Sequence, residues 1–114
     1  MMITNNAINW GMRITVEDKK RQQHEMAFAA WKRERQRAVD AITVTVDGMV
    51  FDGNDESQNR MARVIASADA MEQTAEWTLA NNDVANVTMG QLKQALALAT
   101  EAQTAIWNEG RPTL

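Results

Sequence analysis

The sequence predicts a single small α+β domain, ordered helix, β-hairpin, helix, β-hairpin, helix, behind an N-terminal arm. Three observations predict it. Alternating β-branched residues flank an Asp-Gly pair within residues 42–51, residues 61–71 place apolar side chains at helical spacing, and Thr88 with Gln91 forms a helix-start pattern. The chain has 114 residues, which is within the usual size range of one domain.

Residues 1–15 are predicted to be an extended arm. Apolar side chains alternate with polar ones there, at positions Ile8, Trp10, Met12 and Ile14. Because side chains alternate across a strand, this segment would present one apolar face. The arm can lie against its own domain, or it can add an edge strand to a partner with Trp10 as the anchor. The sequence leaves both alternatives open.

The first helix is predicted from about Val16 to Ala41, with Thr15 as its N-cap and Asp18 as an acidic N3 residue. Its first two turns are almost wholly polar. The apolar positions come later and are Phe28, Trp31, Ala38, Val39 and Ile42. We therefore expect the second half to face the core and the first half to project into solvent or onto a partner.

A hairpin is predicted next, with strands at 42–46 and 49–51 around a two-residue turn at Asp47-Gly48. Asn54 or Asp55 then caps a second helix. The apolar face of this helix is predicted from i, i+3, i+4, i+7 and i+10 spacing to contain Met61, Val64, Ile65, Ala68 and Met71.

A second hairpin is predicted from strands at 74–79 and 84–87, and the last helix runs from the Thr88 cap to about Asn108, ended by Gly110. One seam of this helix contains Met89, Leu92, Leu96, Ala99, Gln103 and Ile106. Packing on the hairpins is favoured over a coiled coil, and Trp31, Trp77 and Trp107 are expected in core or half-buried positions. The domain is expected to span 16–110, followed by a short tail at 111–114.

Charge is divided unevenly along the chain. The net charge is −3, but residues 1–39 carry +4 and residues 40–114 carry −7. This asymmetry can steer docking, including head-to-tail docking of copies, or it can be a solvated basic helix on an acidic body. We expect partner contacts from the arm residues Ile8, Trp10, Met12 and Ile14 and from a basic segment that contains Lys32, Arg33, Arg35 and Arg37.

Nucleic acid is a less favoured partner for that basic segment. Basic side chains two residues apart point to different sides of a helix, so they do not form one phosphate-binding stripe. The chain as a whole is acidic, which would also make phosphate binding weak. No run of residues is long and apolar enough for a membrane span, and the first residues lack the pattern of a signal peptide.

The sequence offers no pattern typical of catalysis. The chain has no cysteine, which excludes disulfides and thiolate metal sites, and its one histidine, His24, is interpreted as a solvated helix-surface residue. Residues 52–56 lack the ligand order of a calcium loop, and Glu72 and Glu76 do not form a credible glycosidase pair. Serine-hydrolase and phosphate-loop motifs are missing. We expect no enzyme activity, no cofactor and no metal.

One resemblance depends on an ordered set of residues between 30 and 108. The set comprises Gly48 with Phe51, the helix entry 52–57 followed by Arg60 and Ala62, Trp77 before Asn81-Asn82, and Thr88 capping a Leu- and Ala-rich helix. In this order the chain resembles a phage-encoded family of domains of unknown function, whose members look like small tail-associated proteins or terminal domains of tail-fibre proteins. Residues 1–29 have no counterpart in this resemblance.

The resemblance implies a setting in the virion tail, with assembly in the host cytoplasm. We expect a non-enzymatic structural or assembly protein of a bacteriophage tail or baseplate, associated with tail fibres and acting by protein–protein docking. Its partners would be other tail, baseplate or fibre proteins, and it would form a homo-oligomer or occur in multiple copies per particle. The alternatives are a non-virion assembly chaperone and a small DNA-binding regulatory factor.

Overall fold

The computed structural model describes residues 15–112 of the chain. The elements within this range are α1 (Val16–Asp40), β1 (Thr43–Val46), β2 (Met49–Asp52), α2 (Asp55–Ser67), β3 (Thr74–Thr78), β4 (Val84–Thr88) and α3 (Met89–Asn108). The predicted α+β class and the order helix, hairpin, helix, hairpin, helix are confirmed. The arm residues Ile8, Trp10, Met12 and Ile14 lie outside the described residues, so the expectations placed on them stay predictions.

The chain divides into two compact units. One unit is formed by residues 1–32 together with 111–114, and its described part contains the first half of α1. The other unit, residues 33–110, contains the end of α1, both hairpins, α2 and α3. The hydrophobic core described below lies in this second unit.

The first hairpin joins β1 and β2 through the predicted two-residue turn. Asp47 and Gly48 have φ angles of 50° and 79°, as a turn with two left-handed central residues requires. Strand pairing is antiparallel, with Val46 opposite Met49 and Val44 opposite Phe51. Alternate side chains of a strand point to opposite faces. One face of the hairpin is therefore apolar and packs against the core, and the side chains of the opposite face are exposed to solvent.

The second hairpin pairs β3 with β4 in antiparallel register, with Trp77 opposite Ala85. Its connection is closed by the Leu79 N–H, which donates to the Asp83 carbonyl at 2.7 Å, and Asn82 takes a φ of 71°. The Ala80 N–H donates to the Val50 carbonyl at 2.9 Å, so one backbone hydrogen bond links the two hairpins directly.

The core lies where α3 packs against α2, β1 and β4. Both of the later helices begin as predicted: the Asn54 side chain accepts from the Ser57 N–H, and Thr88 with Gln91 forms a complete capping box. The side chains that are almost fully shielded from solvent are Val39, Val46, Phe51, Met61, Val87, Met89, Leu92, Ala95 and Ala99.

Three of the predicted core positions are wrong, and one buried position was not predicted. Met71 is 44% exposed, because α2 ends at Ser67 and the chain turns to extended backbone at Ala68. Ala38 is exposed on α1, whose only fully buried residue is Val39. Trp107 is exposed, because it lies in the last turn of α3, beyond the part of that helix that packs in the core. The predicted seam of α3 also omits Ala95, which is fully buried.

The start of α1 gives a prediction about pH. The Thr15 Oγ1 accepts from the Asp18 N–H at 3.1 Å, and the Thr15 N–H donates to the Asp18 carboxylate at 3.4 Å. Hydrogen bonding from the Thr15 side chain, then from its backbone, and the nearby Arg21 charge hold the pKa of Asp18 below its ordinary value of 3.8. The first turn should therefore be stabilised above the ordinary pKa and lose that stabilisation as the pH falls through the folded value.

An NMR pH titration of the Asp18 carboxyl tests this. Because hydrogen bonding from Thr15 is the largest cause, the variant Thr15→Val should return the pKa of Asp18 toward 3.8. A conservative Thr15→Ser variant, which keeps the hydroxyl, should leave the pKa lowered. An equal pKa in all three proteins would contradict the role of this cap.

Candidate functional site

The most distinctive surface feature of the second unit is a cation–π stack between α1 and α3. The guanidinium carbon of Arg35 lies 4.3 Å from the ring centroid of Trp107. Trp107 keeps 46% of its surface in solvent, whereas Arg35 is half-buried. An arginine packed on an indole face is attracted by the ring quadrupole, and its planar group restricts the motion of the ring. The stack therefore presents a large aromatic surface in a defined orientation.

An open groove of about 300 Å³ runs beside this stack. Within residues 15–112, the residues that line it all lie on α3, at Thr100, Gln103, Thr104, Trp107 and Asn108. Residues spaced by three, four, seven and eight positions share one helix face, so α3 supplies a continuous surface here. Trp107 is its largest apolar side chain, and the hydroxyl and amide groups of the other residues give it a polar border.

A network of side-chain amides and two carboxylates connects the neighbouring helices. The Gln103 amide donates to Asp55 Oδ1 at 2.7 Å and accepts from Gln58 Nε2 at 2.7 Å. The Gln36 amide donates to Asp40 Oδ1 at 2.9 Å and lies 3.5 Å from Asp55 Oδ2. These bonds join the end of α1, the start of α2 and the surface of α3. Gln103 thus occupies its predicted seam position as a hydrogen-bonding residue.

The four basic residues singled out from the sequence take different environments. Arg35 stacks on Trp107, and Arg37 forms an ion pair with Glu34. Lys32 Nζ lies 5.0 Å from the Phe28 ring centroid, and Arg33 is exposed. The positive charges of this segment therefore point in several directions, as expected for basic residues that are close together in the sequence of a helix.

A second aromatic cluster lies in the first unit around Phe28. The ring centroids of His24 and Trp31 are 5.9 and 5.1 Å from that of Phe28, and the Arg111 guanidinium carbon is 5.8 Å away. Together with Lys32 these residues form what we call the basic aromatic face: His24, Phe28, Trp31, Lys32 and Arg111. An open groove of about 400 Å³ lies along it.

His24 is one of the residues of this cluster that the sequence interpretation missed. It was expected to be solvated, but it is half-buried and its ring is tilted against Phe28. The i, i+4 spacing of His24, Phe28 and Lys32 is the signal that could have found the cluster, because such residues are neighbours on a helix surface.

A third surface lies between the tips of the two hairpins. It is an open groove of about 540 Å³, which we call the hairpin groove, and its lining residues are Gly48, Met49, Val50, Leu79, Ala80, Asn81 and Asp83. Leu79 is buried at its base and Met49 is half-buried, whereas Val50 is 41% exposed. The groove therefore combines accessible apolar surface with the Asp83 carboxylate.

Residues 15–112 bring together no group of three or more histidine, aspartate or glutamate side chains suited to a metal ion. Within the same range, none of the helices has the length and apolar content needed to cross a membrane. The chemistry that these surfaces do offer is noncovalent recognition through aromatic, cationic and amide groups.

A family model described as "Domain of unknown function (DUF4376)" matches residues 19–111. No match was found among curated proteins or among solved structures. The expectation that residues 1–29 lack a counterpart is wrong for residues 19–29, because the family pattern already begins in the polar first turns of α1.

Proposed function

The chain belongs to the DUF4376 family of domains of unknown function, and on that premise we propose that it is a non-enzymatic structural or assembly protein of a bacteriophage tail or baseplate. It would act by docking onto other tail, baseplate or fibre proteins. The tail setting rests on the phage resemblance of residues 30–108, and the docking role rests on the surfaces of the second unit.

The observation that carries the docking role is the exposed Trp107 held under Arg35. Tryptophan and arginine are the residue types most enriched among the few that dominate binding energy at protein interfaces. Transferring the remaining exposed part of an indole out of water is favourable, and a ring already held by a stacked guanidinium loses less freedom when it is covered. This pair is therefore suited to be an anchor.

The body beneath the anchor supports the same role. Gln103 and Asp55 connect α3 to the start of α2, so the surface around Trp107 is fixed to the buried core rather than carried on a loop. In the proposed mode of action, a partner covers Trp107 and the adjoining groove, and the arm at residues 8–14 adds a second contact. The basic residues around Lys32 steer the approach of an acidic partner.

The test is quantitative mass spectrometry of purified phage particles. The protein should be present in a fixed ratio to known tail proteins, and Trp107→Ala should lower its content by roughly tenfold or more, as loss of an interface anchor does. Met71→Ala, which removes an apolar side chain that is 44% exposed and lies outside this groove, is the matched control and should leave the content unchanged. Both variants should melt cooperatively as isolated proteins.

Two results would count against the proposal. Absence of the wild-type protein from intact particles would contradict a virion role and favour the assembly-chaperone alternative. Equal content of the Trp107→Ala and wild-type proteins would remove Trp107 as the docking anchor.

A further inference from the structure

The two hairpins lie in stretches of chain without any positive charge. Residues 41–59 and 64–92 contain eight acidic residues and no lysine or arginine. The whole unit of residues 33–110 has twelve acidic and six basic residues, a net charge of −6. The other unit, residues 1–32 with 111–114, has three acidic and six basic residues, a net charge of +3. Each copy of the chain thus carries one acidic and one basic body.

The hairpin groove has an apolar floor and an acidic border. Val50 is 41% exposed on the floor. Asp52 is two residues further along β2, outside the residues that line the groove, and points to the same side of the strand as Val50. Asp83 lines the groove, and its carboxylate accepts a hydrogen bond from the Asn81 amide. Since an amide carries no net charge, this bond orients the carboxylate without neutralising it.

The basic aromatic face has the complementary arrangement. Its centre is the half-buried Phe28 ring, and the cationic groups of Lys32 and Arg111 lie 5.0 and 5.8 Å from the ring centroid. Glu25 also lines the groove along this face, so together with Lys32 and Arg111 the border carries a net charge of +1. An apolar centre with this net positive border matches an apolar floor with an acidic border in both hydrophobicity and charge. Complementary potentials of this kind select partners and fix their register.

We propose that the hairpin groove of one copy binds the basic aromatic face of a second copy. Lys32 and Arg111 of one copy then face Asp52 and Asp83 of the other, with Phe28 against the apolar floor. This interface uses a different surface on each partner, so the copies associate head to tail and form a ring or an open chain. The inference deepens the proposed docking function by naming a second copy of this chain as a partner.

Analytical ultracentrifugation of the purified full chain tests the interface by charge exchange. One variant carries Lys32→Glu with Arg111→Glu, and the other carries Asp52→Lys with Asp83→Lys; all four positions are exposed. Each variant alone juxtaposes like charges and should weaken self-association by at least about tenfold. An equimolar mixture restores opposite charges at every contact and should recover association. Loss of structure cannot produce that recovery.

The matched control is Arg60→Glu with Arg63→Glu, two exposed positions on α2 that change the net charge by the same amount as the first variant. This control should associate like the wild type. Wild-type association should also weaken with added salt, because exposed charges are screened beyond about 10 Å at roughly 0.1 M ionic strength.

Three outcomes would overturn the inference. They are a wild-type chain that stays monomeric at high concentration, a mixture of the two folded variants that fails to associate, and an association that is abolished by removing residues 1–14 but insensitive to both charge variants. The last result would make the arm the occupant of the groove. A monomeric protein that mass spectrometry still finds in particles would overturn only the self-association and would leave the proposed docking function standing.

Discussion

Replacing Phe51 with alanine should lower the free energy of unfolding by about 3–5 kcal/mol. Phe51 is fully buried in β2 and lies opposite Val44, another buried residue, across the first hairpin. Removing the ring loses its transfer energy and also leaves a cavity, since the surrounding core can relax only in part. Small domains are stabilised by only about 5–15 kcal/mol in total, so this variant should be close to unfolding.

Urea denaturation followed by circular dichroism measures this change. The control is Val84→Ala, also in a strand but 63% exposed, for which we expect a loss of less than about 1 kcal/mol. A Phe51→Ala protein that loses no more stability than Val84→Ala would contradict the core as described.

Two glycines should respond to alanine in opposite directions. At Gly53 an added Cβ would lie 2.6 Å from Ile42 Cγ2 and 3.0 Å from Ala99 Cβ. Ile42 is buried and Ala99 is fixed on α3. To accommodate the added methyl group, either the backbone at Gly53 or helix α3 must therefore shift. We expect Gly53→Ala to cost about 1–3 kcal/mol, the usual range for overpacking a filled core.

At Gly90, in the first turn of α3, the nearest atoms to an added Cβ are Thr88 Oγ1 at 3.7 Å and the Met71 carbonyl oxygen at 3.8 Å. These are ordinary contact distances, and alanine is favoured over glycine within a helix by up to about 1 kcal/mol. Gly90→Ala should therefore stabilise the protein slightly.

Thermal and urea unfolding of the two glycine variants, measured side by side, compare the two effects with the same chemical change. Because both variants add one methyl group, a difference in sign must come from the surroundings of each glycine. A neutral Gly53→Ala would show that the backbone at Gly53 does not lie as close to Ile42 and Ala99 as the structure has it.

Local chemistry explains why most of the fold could be predicted. A turn with two left-handed residues needs a pair such as Asp47-Gly48, and a capping box needs Thr88 and Gln91 three residues apart. These signals are complete within a few residues, so tertiary contacts do not alter them. Both were confirmed, with element boundaries close to those predicted.

The misplaced core residues depend on information that no local pattern contains. Met71 continues the spacing of the α2 face, but the helix ends before it is reached. Ala95 is buried because α3 packs closely in the core, and small side chains at such contacts have no distinctive periodicity.

Only part of the candidate site could be predicted from the sequence. Arg35 was expected to contact a partner from its place in a basic segment, whereas its position over Trp107 depends on how α1 and α3 pack. Aromatic and cationic side chains that are distant in sequence meet only in the folded chain, so the stack could not be inferred from spacing. The basic aromatic face contains residues of both kinds. Its residues on α1 could be recognised from their i, i+4 spacing, whereas no sequence pattern indicates that Arg111 joins them.

The backbone bond between Ala80 and Val50 has a consequence for motion. Isolated two-stranded hairpins have marginal stability in water, and here one amide of the second hairpin is protected by a carbonyl of the first. The Ala80 amide proton can exchange with deuterium only when the two hairpin tips separate. Its exchange rate therefore reports how often the groove between them opens. A molecule seated in that groove would slow this single proton, whether or not it changed the global melting temperature.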